Sequence, residues 1–227
     1  KLSHAEARSE WFFGEGERFT LAGFYKKIDK PIEAFAFRST GQLQTSFANA
    51  PEAQLYGAEL EVLKYVPLSG VSESPFFASR RLVLVANYTY SKAIDEVTDF
   101  GTEFQPNDQT HKRAERALSS FDQRHKFVAY GMWHAPAGFQ VSPIFRANSG
   151  RPFNLLVGTD LNEDFHATTD RPPFAGRNTG KGPGFWTTDL RLTKDLSIGD
   201  SAKVELIGEA FNLFNRLNFR SVNNTVG

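Results

Sequence analysis

The sequence contains no cysteine, and no stretch of it is apolar for long enough to form a membrane-spanning helix. Without cysteine the chain has no disulfide bonds and no metal sites with cysteine ligands. The longest aliphatic run is only Leu82 to Ala86, whereas a spanning helix needs roughly 18 apolar residues. Charge of one sign is not in excess either, since 26 basic residues balance 26 acidic residues. Nothing global therefore predicts binding to nucleic acid.

What the sequence does have is phenylalanine, with 22 residues in 227, and a mean hydropathy of only −0.40. A low mean hydropathy does not exclude a membrane protein. When β-strands cross the bilayer, alternate side chains face lipid and the others face a polar interior, so the average stays low.

Apolar and polar residues alternate with a period of two in many segments, which predicts β-strands. In the clearest segment Leu84 and Tyr88 fall on one face, and Asn87 and Thr89 fall on the other. This pattern predicts about eight strands, at residues 4–13, 18–28, 54–66, 81–92, 123–134, 139–148, 185–196 and 202–214. Residues 123–134 are apolar on both faces, so their facing stays open. Most segments are longer than the roughly 5 or 6 residues of a soluble strand and match the roughly 9 to 11 that cross a bilayer.

Short and long connections between these strands alternate along the chain. Tight turns rich in glycine and proline, or in glycine and acidic residues, lie at 14–17, 135–138 and 197–200. Long polar stretches lie at 29–53, 93–122 and 149–184, and a link of medium length lies at 67–80. An antiparallel up-and-down transmembrane β-barrel with long external loops has this asymmetry. Eight strands close a small barrel or form an arc of a larger one, and the pattern leaves both open.

Six strings of the sequence, in order along nearly the whole chain, resemble the barrel of TonB-dependent outer-membrane receptors, especially the Oar-like group. They are FTLAGFYKKIDKPIE (19–33), FANAPEAQLYGAELEV (47–62), YTYSKAID (88–95), FDQRHKFV (121–128), GPGFWTTDLRLTKD (182–195) and EAFNLFNRLNF (209–219). The resemblance implies a barrel of 22 strands with an N-terminal plug and a TonB box.

The resemblance further implies that residues 1–227 are part of a single barrel domain, truncated at both ends and without the plug. Such a receptor lies in the outer membrane of a Gram-negative bacterium and captures a ligand for uptake. The implied partners are outer-membrane lipid, an extracellular ligand that the sequence does not identify, and the TonB complex through N-terminal parts of the parent protein. We expect no cofactor, no nucleic-acid partner and no enzymatic activity.

Seven charged residues fall on strand faces opposite the apolar side chains and are candidates for lining the lumen. They are Glu59, Glu61, Asp189, Arg191, Lys203, Glu205 and Glu209. The simpler interpretation is a wet lumen with mutually compensating charges, and the sharper one is contact with the plug or with passing substrate. No catalytic residue is predicted.

One long loop carries alternating oxygen ligands, Asp160, Asn162 and Asp164, which form a weak candidate for a Ca²⁺ site. The glycine expected at the sixth position of such a loop is Phe165 or His166, depending on register, so a solvated acidic loop is the preferred interpretation. The five histidines form no HExxH pair, and no other metal site is predicted.

Seven aromatic residues lie in or near strand ends and are predicted to form the interfacial girdles of a barrel: Trp11, Trp133, Trp186, Tyr25, Tyr56, Tyr88 and Tyr90. Two alternatives to the receptor are a small structural or adhesion barrel of the outer membrane and a soluble β-sandwich that binds carbohydrate. The lengths of the strands and the sorting of the loops favour the membrane barrel over the sandwich.

Overall fold

The computed structural model describes residues 1–39, 42–70, 74–75, 81–96, 115–161, 170–199 and 202–226. Eight long strands form one antiparallel sheet: β1 (Leu2–Gly14), β2 (Glu17–Asp29), β5 (Glu52–Pro67), β6 (Arg81–Asp95), β8 (His125–Ala135), β9 (Phe139–Asn148), β12 (Phe185–Ile198) and β13 (Ala202–Ala210). Five short strands lie in the connections: β3 (Ile32–Ser39), β4 (Gln42–Asn49), β7 (Ala117–Leu118), β10 (Pro152–Phe153) and β11 (Gly180–Lys181). Short 3-10 turns lie at Leu68–Gly70 and Pro136–Gly138.

The long strands lie side by side in sequence order, β1-β2-β5-β6-β8-β9-β12-β13, and β7 adds to the end of β6. This arrangement confirms the prediction of a partial barrel of about eight long antiparallel strands. Among the residues that the structure describes, no helix is long and apolar enough to cross a membrane.

The register of the strands gives the sheet one polar and one apolar face, because residues directly opposite each other point to the same side. Glu61 lies opposite both Thr20 and Asn87 on one face. Its neighbour Leu60 lies opposite Leu21 and Tyr88 on the other face.

The register also determines the facing of β8, which its sequence left open. Phe127 is opposite Tyr88 and therefore belongs to the apolar face, whereas Lys126 is opposite Thr89 on the polar face. The period-two interpretation of the sequence thus extends to β8.

No segment that the structure describes covers the apolar face. Leu21, Leu84 and Leu206 on this face are 48%, 41% and 54% exposed. The only buried hydrophobic residues among those that the structure describes are Ala22, Ala50 and Leu68. A soluble β-sandwich would bury such a face against a second sheet, so the architecture does not favour that alternative. Contact with lipid tails explains the exposed leucines.

The stretch 29–53, which the sequence analysis assigned to a polar loop, contains two strands. β3 and β4 pair in the same register as β2 and β5, since Asp29 is opposite Glu52 and Ile32 is opposite Asn49. The extended conformation is interrupted at Lys30, which has a φ of 54°. Hydrogen bonds between the two sides of the hairpin continue across this point, from the Lys30 N–H to the Pro51 carbonyl at 3.2 Å and from the Ala50 N–H to the Pro31 carbonyl at 2.8 Å. The prediction of a loop was wrong for most of this stretch, because residues 32–39 and 42–49 pair as a hairpin that extends the ladder of β2 and β5.

The last strand is shorter than the predicted segment 202–214, because β13 ends at Ala210. The backbone N–H of Asn212 donates to the carboxylate of Asp189 at 2.9 Å, and Asn212 and Asn215 have φ values of 51° and 49°. Left-handed residues cannot continue an extended strand, so the chain turns away here.

β1 and β13 lie at the two ends of the sheet, and within the described ranges each pairs on one side only. An unpaired backbone N–H or C=O group costs several kcal/mol in hydrocarbon, so spanning strands must pair on both edges. The sheet is therefore an arc of a barrel that needs further strands to close.

Candidate functional site

All seven charged residues predicted to face the lumen lie on the polar face of the sheet. Arg191 is directly opposite Glu209, and their charged groups are 3.7 Å apart. Glu61 forms an ion pair with Arg18 of the neighbouring strand. These pairs make the charges of the polar face compensate each other. That this face lines a lumen stays a prediction.

Asp189 connects the polar face to the segment that follows β13. Its carboxylate forms an ion pair with Arg146 and accepts hydrogen bonds from the Asn212 backbone N–H at 2.9 Å and the Thr187 hydroxyl at 3.3 Å. This carboxylate therefore holds the start of the segment at Asn212, and Asn218 and Asn224 hold the rest of it through hydrogen bonds to Trp186 and Asn154.

The three remaining residues of the predicted set lie apart from these pairs. Lys203 and Glu205 are exposed on β13, close to the tight turn that precedes it. Glu59 lies towards the opposite end of the sheet, where the long connections begin. The seven residues therefore share a face but do not form one cluster.

A cavity of about 500 Å³ lies over the polar face at the end where the long connections begin. Glu59, Thr89 and Lys126 contribute to its floor, and Phe121 and Asp122 of the β6–β8 connection contribute to its wall. The carboxylate of Asp122 accepts a hydrogen bond from the backbone N–H of Ala93 at 2.7 Å, which holds this connection against the end of β6. The connection thus folds over the polar face and not over the apolar one.

A larger cavity, of about 670 Å³, lies beside the first over the ends of β9 and β12. Its walls come from the β6–β8 connection, from both ends of the β9–β12 connection and from the segment after β13. Gln123 lines both cavities, so they are neighbours.

Asn154 holds three of these wall segments together. Its side-chain carbonyl accepts a hydrogen bond from the Asn178 backbone N–H at 2.7 Å, and its backbone carbonyl accepts one from the Asn224 side chain at 2.8 Å. The side chain of Asn178, at a φ of 55°, donates to the Leu118 carbonyl at 2.6 Å. Leu156 exchanges backbone hydrogen bonds with the same C-terminal segment, donating to Asn224 at 3.0 Å. Directional amide bonds of this kind fix the shape of the larger cavity before any ligand binds.

A buried ionic cluster anchors the same connections to the end of β6. The guanidinium of Arg177, whose side chain is 2% exposed, forms an ion pair with Asp95 and donates to the Glu115 backbone carbonyl at 2.7 Å. Arg171 forms a second ion pair with the Glu115 carboxylate at 2.7 Å. Breaking such a buried pair would leave an uncompensated charge, so the cluster stabilises one arrangement of the loops.

The sequence did not predict this cluster. Arg177 and Asp95 are 82 residues apart, and Arg171 and Glu115 are 56 apart, so no local spacing brings them together. The only signal in the sequence was that both partners fall in or beside the two long connections.

The calcium candidate lies mostly outside the described residues. Asn162 and Asp164 fall there, whereas Asp160 is described and half-buried. The described residues contain no group of three His, Asp or Glu side chains that could hold a metal ion. The nearby Asp170 uses its carboxylate to accept a hydrogen bond from the Leu161 backbone N–H. The calcium site stays a prediction.

The aromatic residues predicted to form girdles all lie on the apolar face. Tyr25 and Tyr56 are opposite each other near the end where the long connections begin. Trp11 and Trp133 lie near the tight turns at the other end. Aliphatic residues such as Leu60 lie between these two pairs, as two membrane interfaces require, but Tyr88 is directly opposite Leu60 and lies between the pairs as well.

An exposed apolar face with aromatic residues at both ends, a polar face with paired charges and loops sorted by length together define an outer-membrane β-barrel. A family model described as an outer membrane beta barrel domain matches residues 77–174 and 173–227, which include β6 and every long strand after it. The chain belongs to this family and is located in the outer membrane. A comparison with curated proteins finds no match.

Proposed function

We propose that this chain is the C-terminal barrel segment of a TonB-dependent receptor, related to the Oar-like group, which captures a ligand outside the cell and takes it up through its lumen. The observation that carries the proposal is the position of the two cavities. Both lie over the polar face at the end where the long connections fold inward. A ligand bound there is already at the entrance of a polar channel.

The buried ionic cluster supports capture of a specific ligand over passive diffusion. An open pore does not require loops fixed in one arrangement, whereas a binding site gains affinity when its walls are ordered in advance. Arg177 and Arg171 fix the two long connections in this way.

The resemblance to the receptor family coincides with a structural unit. Asp189 of GPGFWTTDLRLTKD and Asn212 of EAFNLFNRLNF are hydrogen-bonded to each other, and Asn218 of the second string bonds to both backbone groups of Trp186 in the first. The two strings therefore depend on each other to shape the loop after β13.

In this proposal the remaining strands, the plug and the TonB box belong to other parts of the same protein. The apolar face contacts outer-membrane lipid, the cavities face the extracellular ligand, and the TonB complex acts on the N-terminal parts. The barrel works by binding and conduction, without a cofactor or a catalytic centre.

The proposal is tested by measuring whether the full-length protein, purified in detergent, binds the purified C-terminal domain of TonB. We expect a complex that is lost when the N-terminal TonB box is deleted. The deletion variant must still insert into the outer membrane, which fractionation checks. A correctly inserted full-length protein that does not bind TonB would refute the receptor and would favour a structural or adhesion barrel.

A further inference from the structure

The larger cavity carries a charge preference of its own. We propose that it binds a small amphipathic organic anion, a molecule with a carboxylate or similar group beside an apolar group. This inference rests on the proposed function in one respect, since it places the captured ligand at the loop end of the barrel. It names the class of ligand that the site would take.

The volume of about 670 Å³ lies within the roughly 300 to 1,000 Å³ of sites for small molecules. The walls come from separate stretches of the chain that the amide bonds of Asn154 hold in place. The site is therefore preformed and not a gap between independent loops.

The charged groups that the described residues contribute to the lining are all cationic. Arg151 and Arg220 line the cavity, and none of the described aspartates or glutamates does. Neither arginine forms an ion pair with a described residue, whereas Arg18, Arg146 and Arg177 all do. The Arg151 guanidinium lies 5.8 Å from the centre of the Phe121 ring, a weak interaction that leaves its N–H groups available. Guanidinium groups bind carboxylates with two parallel hydrogen bonds, so these two side chains favour an anion.

The remaining lining supplies an apolar surface. Phe153, Phe185 and Phe219 contribute aromatic rings, and Leu156 adds an aliphatic side chain. A small inorganic anion would leave this surface in contact with water. An organic anion with an aryl or alkyl group would cover it, which adds the hydrophobic contribution to binding.

The smaller cavity provides a comparison within the same molecule. It is lined by acidic residues, Glu6, Glu59 and Asp122, and by the basic residues Lys26 and Lys126. Charges of both signs give no preference for an anion. The preference therefore belongs to the larger cavity and not to the loop end as a whole.

The test uses the full-length protein in detergent micelles and the fluorescent probe N-dansyl-phenylalanine, with its neutral amide, N-dansyl-phenylalaninamide, as the matched probe. Fluorescence anisotropy gives the affinity for each. We expect the carboxylate probe to bind more tightly than the amide. Arg151→Gln and Arg220→Gln should each weaken binding of the carboxylate about five- to tenfold and change binding of the amide less than about twofold, because each removes one charge-assisted contact.

Two variants control for location. Arg216→Gln removes an arginine from the same C-terminal segment that does not line the cavity, since its guanidinium lies 5.5 Å from the centre of the Trp186 ring. It should leave both affinities unchanged. Ser221→Trp fills the cavity and should abolish binding of both probes.

Equal affinities for the two probes, equal losses in Arg216→Gln and Arg220→Gln, or persistent binding in Ser221→Trp would each overturn the proposal. The assay contains no TonB, so its outcome is separate from the test of the receptor. If the protein binds the carboxylate probe but not TonB, the proposal of an anion site stands and the proposal of a TonB-dependent receptor is rejected. If it binds TonB but not the probe, only the proposal of an anion site is rejected.

Discussion

The assignment of the two faces leads to a prediction for neighbouring residues of β6. Ala86 is at the centre of the uncharged run on the apolar face, which extends from Leu82 to Tyr90, about 27 Å along the strand. Asn87 is on the polar face, opposite Glu61. Arginine introduced at these two positions differs in its surroundings although the positions are adjacent in sequence.

Arginine on the lipid face near the bilayer midplane costs about 2 to 4 kcal/mol. We therefore expect Ala86→Arg to lower the folding equilibrium constant about 30- to 700-fold. Asn87→Arg places the cation across from the Glu61 carboxylate, and an ion pair accessible to water changes stability by only about 1 kcal/mol or less. The difference in the free energy of unfolding between Ala86→Arg and Asn87→Arg tests which face of the sheet contacts lipid.

The measurement is urea unfolding of the full-length protein in phospholipid vesicles, followed by tryptophan fluorescence. Ala86→Lys is a second cationic variant and should resemble Ala86→Arg. If Asn87→Arg is destabilised as much as Ala86→Arg, or more, the apolar face does not contact lipid and the reasoning is wrong.

Three further variants test the loop end. Asn154→Ala removes the acceptor of the Asn178 backbone N–H, so hydrogen exchange at that amide should become about fivefold faster, corresponding to about 1 kcal/mol. Arg177→Met leaves the partly buried Asp95 without its partner, and we expect a local loss of about 3 kcal/mol, detected as faster proteolysis of the β6–β8 connection with unchanged insertion into vesicles. Asp189→Ala should loosen the turn at Asn212 while the strands stay folded, because it removes the acceptor of the Asn212 N–H; unchanged hydrogen exchange at Asn212 would contradict the role given to this carboxylate.

The strands could be predicted from the sequence because the information for them is local. Leu84 and its neighbour Val85 differ little in polarity. The difference in polarity between Tyr88 and its neighbours Asn87 and Thr89 is larger, and it indicates which residues of the strand share the apolar face. The same local pattern predicted the ends of some strands incorrectly. In EAFNLFN the strand was predicted to continue to Phe214, yet Asn212 and Asn215 adopt left-handed conformations, where hydrogen bonds to Asp189 and within the turn determine the backbone.

The candidate site was only partly accessible to the same reasoning. The face of Glu61 and Asp189 followed from alternation, but the ion pairs with Arg18 and Arg146 depend on the register between strands 43 residues apart. The ionic cluster of Arg177 and the cavity beside Asn154 depend on contacts between loops that have no period. Such contacts are determined by packing in three dimensions, which a single sequence does not display.

The meander order of the eight strands has a consequence for assembly in the membrane. Each long strand pairs with the long strand before it, so a growing sheet always offers a free edge to the strand that arrives next. No strand must be threaded between two others, and the loop entropy lost at each addition is that of one connection only. The free edge of β13 is thus a template for the next strand. Because its unpaired backbone groups are costly in hydrocarbon, pairing with that strand is strongly favoured.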